Sequence, residues 1–133
     1  MQTEQNPISR PARIAGWTLS GLLIAFLLFD GAIKLPPLQP VIDTMPQLGW
    51  PVEMARWLGV LTLACTALYA WPRTAVFGAI LLTAYLGGAV ATHVRIGSPL
   101  FSHILFGVYL GLFAWGGLWL RDPRLRALIP LSK

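Results

Sequence analysis

Charged residues are scarce in this chain. Only 11% of its 133 residues are charged, and 56% are hydrophobic, whereas about a quarter of an average soluble domain is charged. A soluble protein of this size could not bury so much apolar surface, so we expect lipid to surround much of the chain. The composition therefore favours an integral membrane protein, with residues 1–133 forming a single membrane domain.

Cysteine is almost absent as well. Cys65 is the only one, and it lies in the middle of an apolar run. A single thiol excludes an internal disulfide and a CxxC redox pair, and so it excludes an oxidoreductase that works through its own cysteine pair. We interpret Cys65 as a small buried apolar side chain.

Acidic residues are also few. The chain has five Asp and Glu against ten Lys and Arg. The positive charges lie in short segments at the ends of apolar runs, and no basic helix face has interleaved aromatic residues. This pattern argues against nucleic-acid binding and is typical of the charges that set membrane topology.

Four apolar runs are long enough to cross a bilayer as helices. The hydrocarbon core is about 30 Å thick and needs about 20 helical residues. Turn residues and prolines such as Pro72 separate the runs. The predicted spans are residues 14–34, 52–71, 74–94 and 99–120. Because most of the connections are short, we expect an all-α, antiparallel four-helix bundle.

The positive charges divide unequally between the two ends of this predicted bundle. Seven lie at the end that holds both termini, and three lie at the other. The seven are Arg10, Arg13, Arg73, Arg121, Arg124, Arg126 and Lys133, and the three are Lys34, Arg56 and Arg95. The positive-inside rule then places both termini in the cytoplasm. Short loops without a targeting segment are typical of a bacterial inner-membrane protein.

Ionisable residues concentrate in the extracytoplasmic third of the predicted bundle and its covering loop, while the cytoplasmic halves of the helices hold almost none. Ionisable groups inside spans are costly, so they tend to face the protein interior and find partners. We therefore predict a polar pocket that opens outward. Its candidate ligand-binding residues are Asp30, Lys34, His93, Arg95 and His103.

Two pairs of residues in the predicted pocket have a spacing that brings their side chains together. His93 and His103 flank the turn at Gly97, and both lie about 6–7 Å below it at 1.5 Å per helical residue. The two rings can then face each other and hydrogen-bond a ligand or carry a proton. Too few further ligands accompany them for a metal site or haem. Asp30 and Lys34 share a helix face, although a surface ion pair with an outward Lys34 is the alternative reading.

Several segments in order resemble one known family. Gly31-Ala32-Ile33-Lys34-Leu35 resembles the G-x-x-K-L signature of the DoxX-like family of small four-helix membrane proteins. Gly49-Trp50-Pro51, Leu58-Gly59-Val60-Leu61 and the run from Leu86 to His93 fit the same pattern. The resemblance implies roles for Lys34 and His93. Thr62 stands where many members have a glutamate, so no role of that carboxylate carries over.

Two hypotheses for function remain open, and nothing in the sequence specifies a reaction. Some relatives in that family are linked to quinone-dependent sulfur oxidation, which implies a quinone-interacting subunit whose electrons come from a partner. Alternatively, the chain is a non-catalytic anchor or assembly subunit. Its proline-rich segment 35–51, with Trp50, would then dock a partner protein outside the cell. Small residues at four-residue spacing indicate either a homo-oligomer interface or tight packing within one copy. A third possible function, transport of a small solute, would require an oligomer.

Overall fold

The computed structural model describes residues 8–36 and 38–129, and within them every regular element is helical. Lys133, one of the charges used to predict topology, lies outside these residues. The helices are α1 (Arg10–Ala32), α2 (Gln39–Gln47), α3 (Met54–Ala70), α4 (Ala75–Arg95), α5 (Phe106–Arg121) and α6 (Pro123–Leu128), with a π-helical turn at Leu100–Ile104 before α5. The all-α prediction is confirmed.

Three of the four predicted spans have the length and apolarity to cross a membrane. They are Arg10–Ala32, Ala75–Arg95 and the continuous stretch Leu100–Arg121. The remaining helix, α3, is apolar but has only 17 residues, which is about 25 Å of helix. It is shorter than the predicted span 52–71 because residues 52 and 53 form a turn after Pro51, and the helix ends before Pro72.

Helix α1 begins earlier and ends earlier than the predicted span 14–34. The Ser9 hydroxyl accepts a hydrogen bond from the Ala12 N–H at 3.3 Å, and Pro11 occupies the first turn, so the helix is capped at its start. Pro36 disfavours helical geometry in Leu35. The helix ends at Ala32, and Lys34 therefore lies in the turn that follows it.

The four long helices pack pairwise. Helix α1 contacts α3 and α5, and α4 contacts the same two helices. Glycines allow close approach at these contacts: a Cβ on Gly16 would lie 2.7 Å from the Gly117 carbonyl oxygen, and one on Gly107 would lie 2.8 Å from Val90. Packing within one chain therefore explains part of the small-residue pattern. Gly21 and Gly87, by contrast, face open space.

The proline-rich segment 35–51 contains a helix that the sequence reading does not predict. Pro40 lies in the first turn of α2, where a missing N–H costs nothing. Val41 and Met45, one turn apart, are buried and pack beside Ala55. Helix α2 thus closes over the neighbouring ends of α1, α3 and α4, and we call this region the α2 end. The opposite region, where α6 lies, is the α6 end.

The α6 end is closed by packing. Leu125 of α6 is buried in the main hydrophobic core, together with Leu23, Tyr69, Leu82 and Leu118. Arg121, which the sequence analysis treats only as a charge that sets topology, also makes contacts inside the protein. Its Nε donates to the Ser20 hydroxyl at 3.2 Å, and its guanidinium lies 3.9 Å from the centre of the Trp17 ring.

Candidate functional site

A cavity of about 500 Å³ lies at the α2 end, a volume typical of small-molecule sites. Helices α1, α2, α3 and α4 and the segment after α2 all contribute to its wall. Most of the wall is apolar, and it includes Ile33, Val41, Met45, Trp50, Leu58 and Ala89. A ligand of this cavity must therefore present mainly apolar surface.

Polar groups on α1, on the turn that follows it and on α4 interrupt this apolar wall. The Lys34 Nζ atom lies 2.8 Å from the Asp30 carboxylate and donates to the Tyr85 hydroxyl at 3.3 Å. The Lys34 side chain is only 18% exposed. The predicted ion pair thus forms, but its ammonium points into the molecule, towards α4, and not outward. Together the three side chains present both charges and a hydroxyl at the cavity.

The two predicted histidines lie face to edge. Their ring centres are 5.7 Å apart, with an angle of 67° between the ring planes. His93 Nδ1 is hydrogen-bonded to the Ser98 hydroxyl at 2.9 Å, and His103 Nδ1 to the Ser102 hydroxyl at 2.8 Å. Only His93 lines the cavity. Because its Nδ1 is engaged by Ser98, Nε2 is the ring nitrogen left for a ligand.

Arg95, another predicted site residue, contacts the end of α2 and does not line the cavity. Its guanidinium donates to the Leu48 carbonyl at 2.9 Å, at the carboxyl end of α2, where the helix dipole favours a cation. Arg56 similarly donates to the Leu35 carbonyl at 3.4 Å. Arg95 and His103 therefore lie beside the cavity without lining it, whereas Asp30, Lys34 and His93 line it.

The sequence reading missed several residues of the wall. Tyr85 and Thr92 line the cavity from α4, and Thr44 and Met45 line it from α2. Tyr85 lies eight residues before His93, so the two lie on the same side of the helix. That spacing could have predicted Tyr85 as a residue of the pocket. The α2 residues had no such signal because the helix itself was not predicted.

The side chains of this region do not include a cluster suited to a metal. Within residues 8–36 and 38–129, no three His, Cys, Asp or Glu side chains are close enough together to hold a metal ion. The chemistry that the cavity offers is therefore hydrogen bonding from Lys34, Tyr85 and His93, beside the Asp30 carboxylate, to a mainly apolar molecule.

Comparison with protein families identifies the chain. The model of the DoxX-like family matches residues 18–117. The chain belongs to the DoxX-like family. With three apolar helices of spanning length, this DoxX-like protein is a multi-pass membrane protein. The matched range contains every residue that lines the cavity. No curated protein and no solved structure matches this DoxX-like protein.

Proposed function

We propose that this DoxX-like protein crosses a bacterial inner membrane four times, with its α2 end outside and both termini in the cytoplasm. The exposed Arg10, Arg13, Arg73 and Arg124 gather at the α6 end, as the positive-inside rule requires. The 17 residues of α3 lie at the lower limit for a span, which is about 17 residues.

Thiol labelling tests this topology. In a Cys65→Ala background, single cysteines replace Gln47 at the α2 end or Ala127 at the α6 end, both of which are exposed. A membrane-impermeant maleimide added to intact cells should label the first variant only. Labelling of the second variant alone, or of both, would contradict the proposed orientation.

Within this topology, the cavity at the α2 end binds a quinone headgroup for a membrane redox complex. The observation that carries this proposal is a mainly apolar cavity with a few donors on its wall. A quinone is a flat apolar ring with a carbonyl acceptor at each side. The Lys34 ammonium, the Tyr85 hydroxyl and the Nε2 atom of His93 are suitable donors for those oxygens.

The chain's contribution to the redox reaction is binding and proton transfer. Reduction of a quinone to a quinol consumes two electrons and two protons, and a partner redox protein supplies the electrons. An imidazole nitrogen can both take up and release a proton, so His93 can pass a proton to a carbonyl oxygen that it contacts. The Asp30 carboxylate, 2.8 Å from Lys34, keeps the ammonium charged beside the site.

Binding of a short-chain quinone to the purified protein tests this proposal, with tryptophan fluorescence as the signal because Trp50 lines the cavity. Lys34→Met should weaken binding by about tenfold or more, since a hydrogen bond from a charged donor is lost. His93→Ala should weaken it by about threefold to tenfold. His103→Ala should have a smaller effect, because that ring only supports His93.

The matched control is Arg73→Met, which removes an exposed cation at the α6 end and should leave the affinity unchanged. Unchanged affinity in both Lys34→Met and His93→Ala would contradict quinone binding at this cavity. An oxidised-minus-reduced ultraviolet–visible spectrum of the protein as purified is a further check. A difference in the ultraviolet absorption typical of a quinone ring supports the proposal. A Soret band indicates bound haem instead.

Exposed aromatic residues favour a second candidate function, the docking of a partner protein. Trp57 is 66% exposed and Phe101 is 73% exposed, both towards the α2 end. Such rings are frequent anchors in protein interfaces. If the protein acts as an anchor, a partner protein copurifies with the wild type, and Trp57→Ala and Phe101→Ala abolish this copurification. The cavity variants Lys34→Met and His93→Ala leave it unchanged.

A further inference from the structure

The cavity extends along α4 to about the middle of the helix. His93 and Ala84 both line it, and they are nine positions apart, which corresponds to about 13 Å of helix. Helix α4 runs from Ala75 to Arg95, so Ala84 lies close to its midpoint. The cavity therefore reaches the depth at which a spanning helix is surrounded by hydrocarbon.

The deep part of the wall faces outward from the core. Ala84 and Gly88 are exposed, and they lie one turn apart on the same side of α4. Leu82 and Leu86, which are buried, lie about 160° around the helix from Ala84 at 3.6 residues per turn. A Cβ on Gly88 would meet no atom within 4 Å. This side of the cavity is thus uncovered by protein.

Helices α3 and α4 lie against each other at the α6 end and leave space between them towards the α2 end. At Gly78 of α4, an added Cβ would collide with the backbone of Tyr69 of α3. Further along, Leu58 of α3 and Gly88 of α4 both line the cavity. The gap between these two helices is therefore a lateral opening at membrane depth.

We infer that the ligand of this cavity carries a hydrocarbon tail, and that it enters from the bilayer between α3 and α4, with the tail crossing Ala84 and Gly88. This inference rests on the proposed function and adds the ligand class and the route. A tail that leaves sideways stays among apolar groups throughout, so binding needs no transfer of the tail into water. Because Ala84 and Gly88 have small side chains or none, they leave space for the hydrocarbon tail of the ligand.

The test compares one headgroup with and without a tail in two neighbouring variants. A tail-free benzoquinone and the same ring with a decyl chain are titrated into the protein in lipid nanodiscs. Gly88→Leu fills the opening, whereas Gly87→Leu adds the same side chain at an adjacent exposed position that does not line the cavity. Neither added Cβ meets a neighbour within 4 Å, so both variants should fold, which their melting temperatures verify.

Gly88→Leu should weaken binding of the decyl form by about tenfold, because several CH₂ groups lose their site. It should change binding of the tail-free ring by less than about twofold, and Gly87→Leu should change neither affinity. Equal weakening of both ligands, or no weakening of either, overturns the lateral route while quinone binding stands. If the wild type binds neither form, the proposed function fails and this inference fails with it.

Discussion

The two ends of this molecule use the same helices in opposite ways. At the α6 end, helices meet at glycine contacts, and Tyr69, Leu82 and Leu118 are fully buried. At the α2 end, α3 and α4 leave a cavity of about 500 Å³, which a short helix covers. The first arrangement stabilises the fold, and the second provides room for a ligand at some cost in packing.

Polar groups follow the same division. At the α6 end, buried hydroxyls pair between helices: the Ser20 and Tyr69 hydroxyls are 2.8 Å apart, and the Tyr69 hydroxyl donates to the Ala114 carbonyl at 2.7 Å. At the α2 end, Lys34, Tyr85 and His93 present polar atoms to the cavity. Buried hydroxyls therefore join helices in one half of the molecule, whereas polar side chains line a cavity in the other.

The largest effect on stability is expected from Gly78→Ala. The new methyl group collides with the Tyr69 backbone, which cannot move aside as a flexible side chain would, so the free energy of unfolding should fall by about 3 kcal/mol. Unfolding in mixed detergent micelles measures this change.

Gly87→Ala is the control on the same helix. Its methyl group enters open space, so the higher helix propensity of alanine should leave stability unchanged or raise it by up to about 1 kcal/mol. Equal destabilisation by the two substitutions would mean that α3 and α4 are not closest at the α6 end.

The next largest effect is expected from Tyr69→Phe. This change removes a fully buried hydroxyl that links α1, α3 and α5, and it should cost about 1–2 kcal/mol of unfolding free energy. Tyr85→Phe removes the corresponding hydroxyl at the cavity, where it should cost little stability but weaken quinone binding. A larger stability loss in Tyr85→Phe than in Tyr69→Phe would reverse the comparison between the two ends.

Sequence patterns predicted part of this comparison. Hydropathy found all four long helices, and the spacing of His93 and His103 around Gly97 predicted their facing rings. The four-residue spacing of Asp30 and Lys34 predicted the ion pair. Local periodicity carries this information, because each of these relations joins residues close in the chain.

What the sequence did not predict depends on contacts between distant segments or on prolines read as breakers. Helix α2 was not predicted because its prolines were taken as helix breakers: Pro40 lies in the first turn, where a helix tolerates proline, and Pro46 lies inside the last turn, where it costs one backbone hydrogen bond. Arg95 carries no sign that it reaches Leu48, 47 residues away. The inward turn of Arg121 onto Trp17 likewise depends on how α1 and α5 pack.

A smaller effect is expected at Arg121, the charge that closes the α6 end. Its planar guanidinium stacks on Trp17 at 3.9 Å and donates to Ser20, and an ammonium reproduces neither geometry. Arg121→Lys should therefore lower the unfolding free energy by about 1 kcal/mol although the charge is kept. Arg73→Lys, at an exposed position, is the control and should be neutral. A neutral Arg121→Lys would mean that charge alone matters there.

The smallest effect on global stability is expected at the α2 end, from Arg95→Gln. This change weakens the hydrogen bond to the Leu48 carbonyl, which is 2.9 Å from the guanidinium, and should lower the global unfolding free energy by only about 0.5 kcal/mol. Its local effect should be larger, because α2 has only nine residues and few buried contacts to hold it. Amide hydrogen exchange should accelerate across α2 and remain unchanged in α5. If both helices accelerate equally, the α2 end unfolds only together with the rest of the protein, and the division between a packed half and a binding half is wrong.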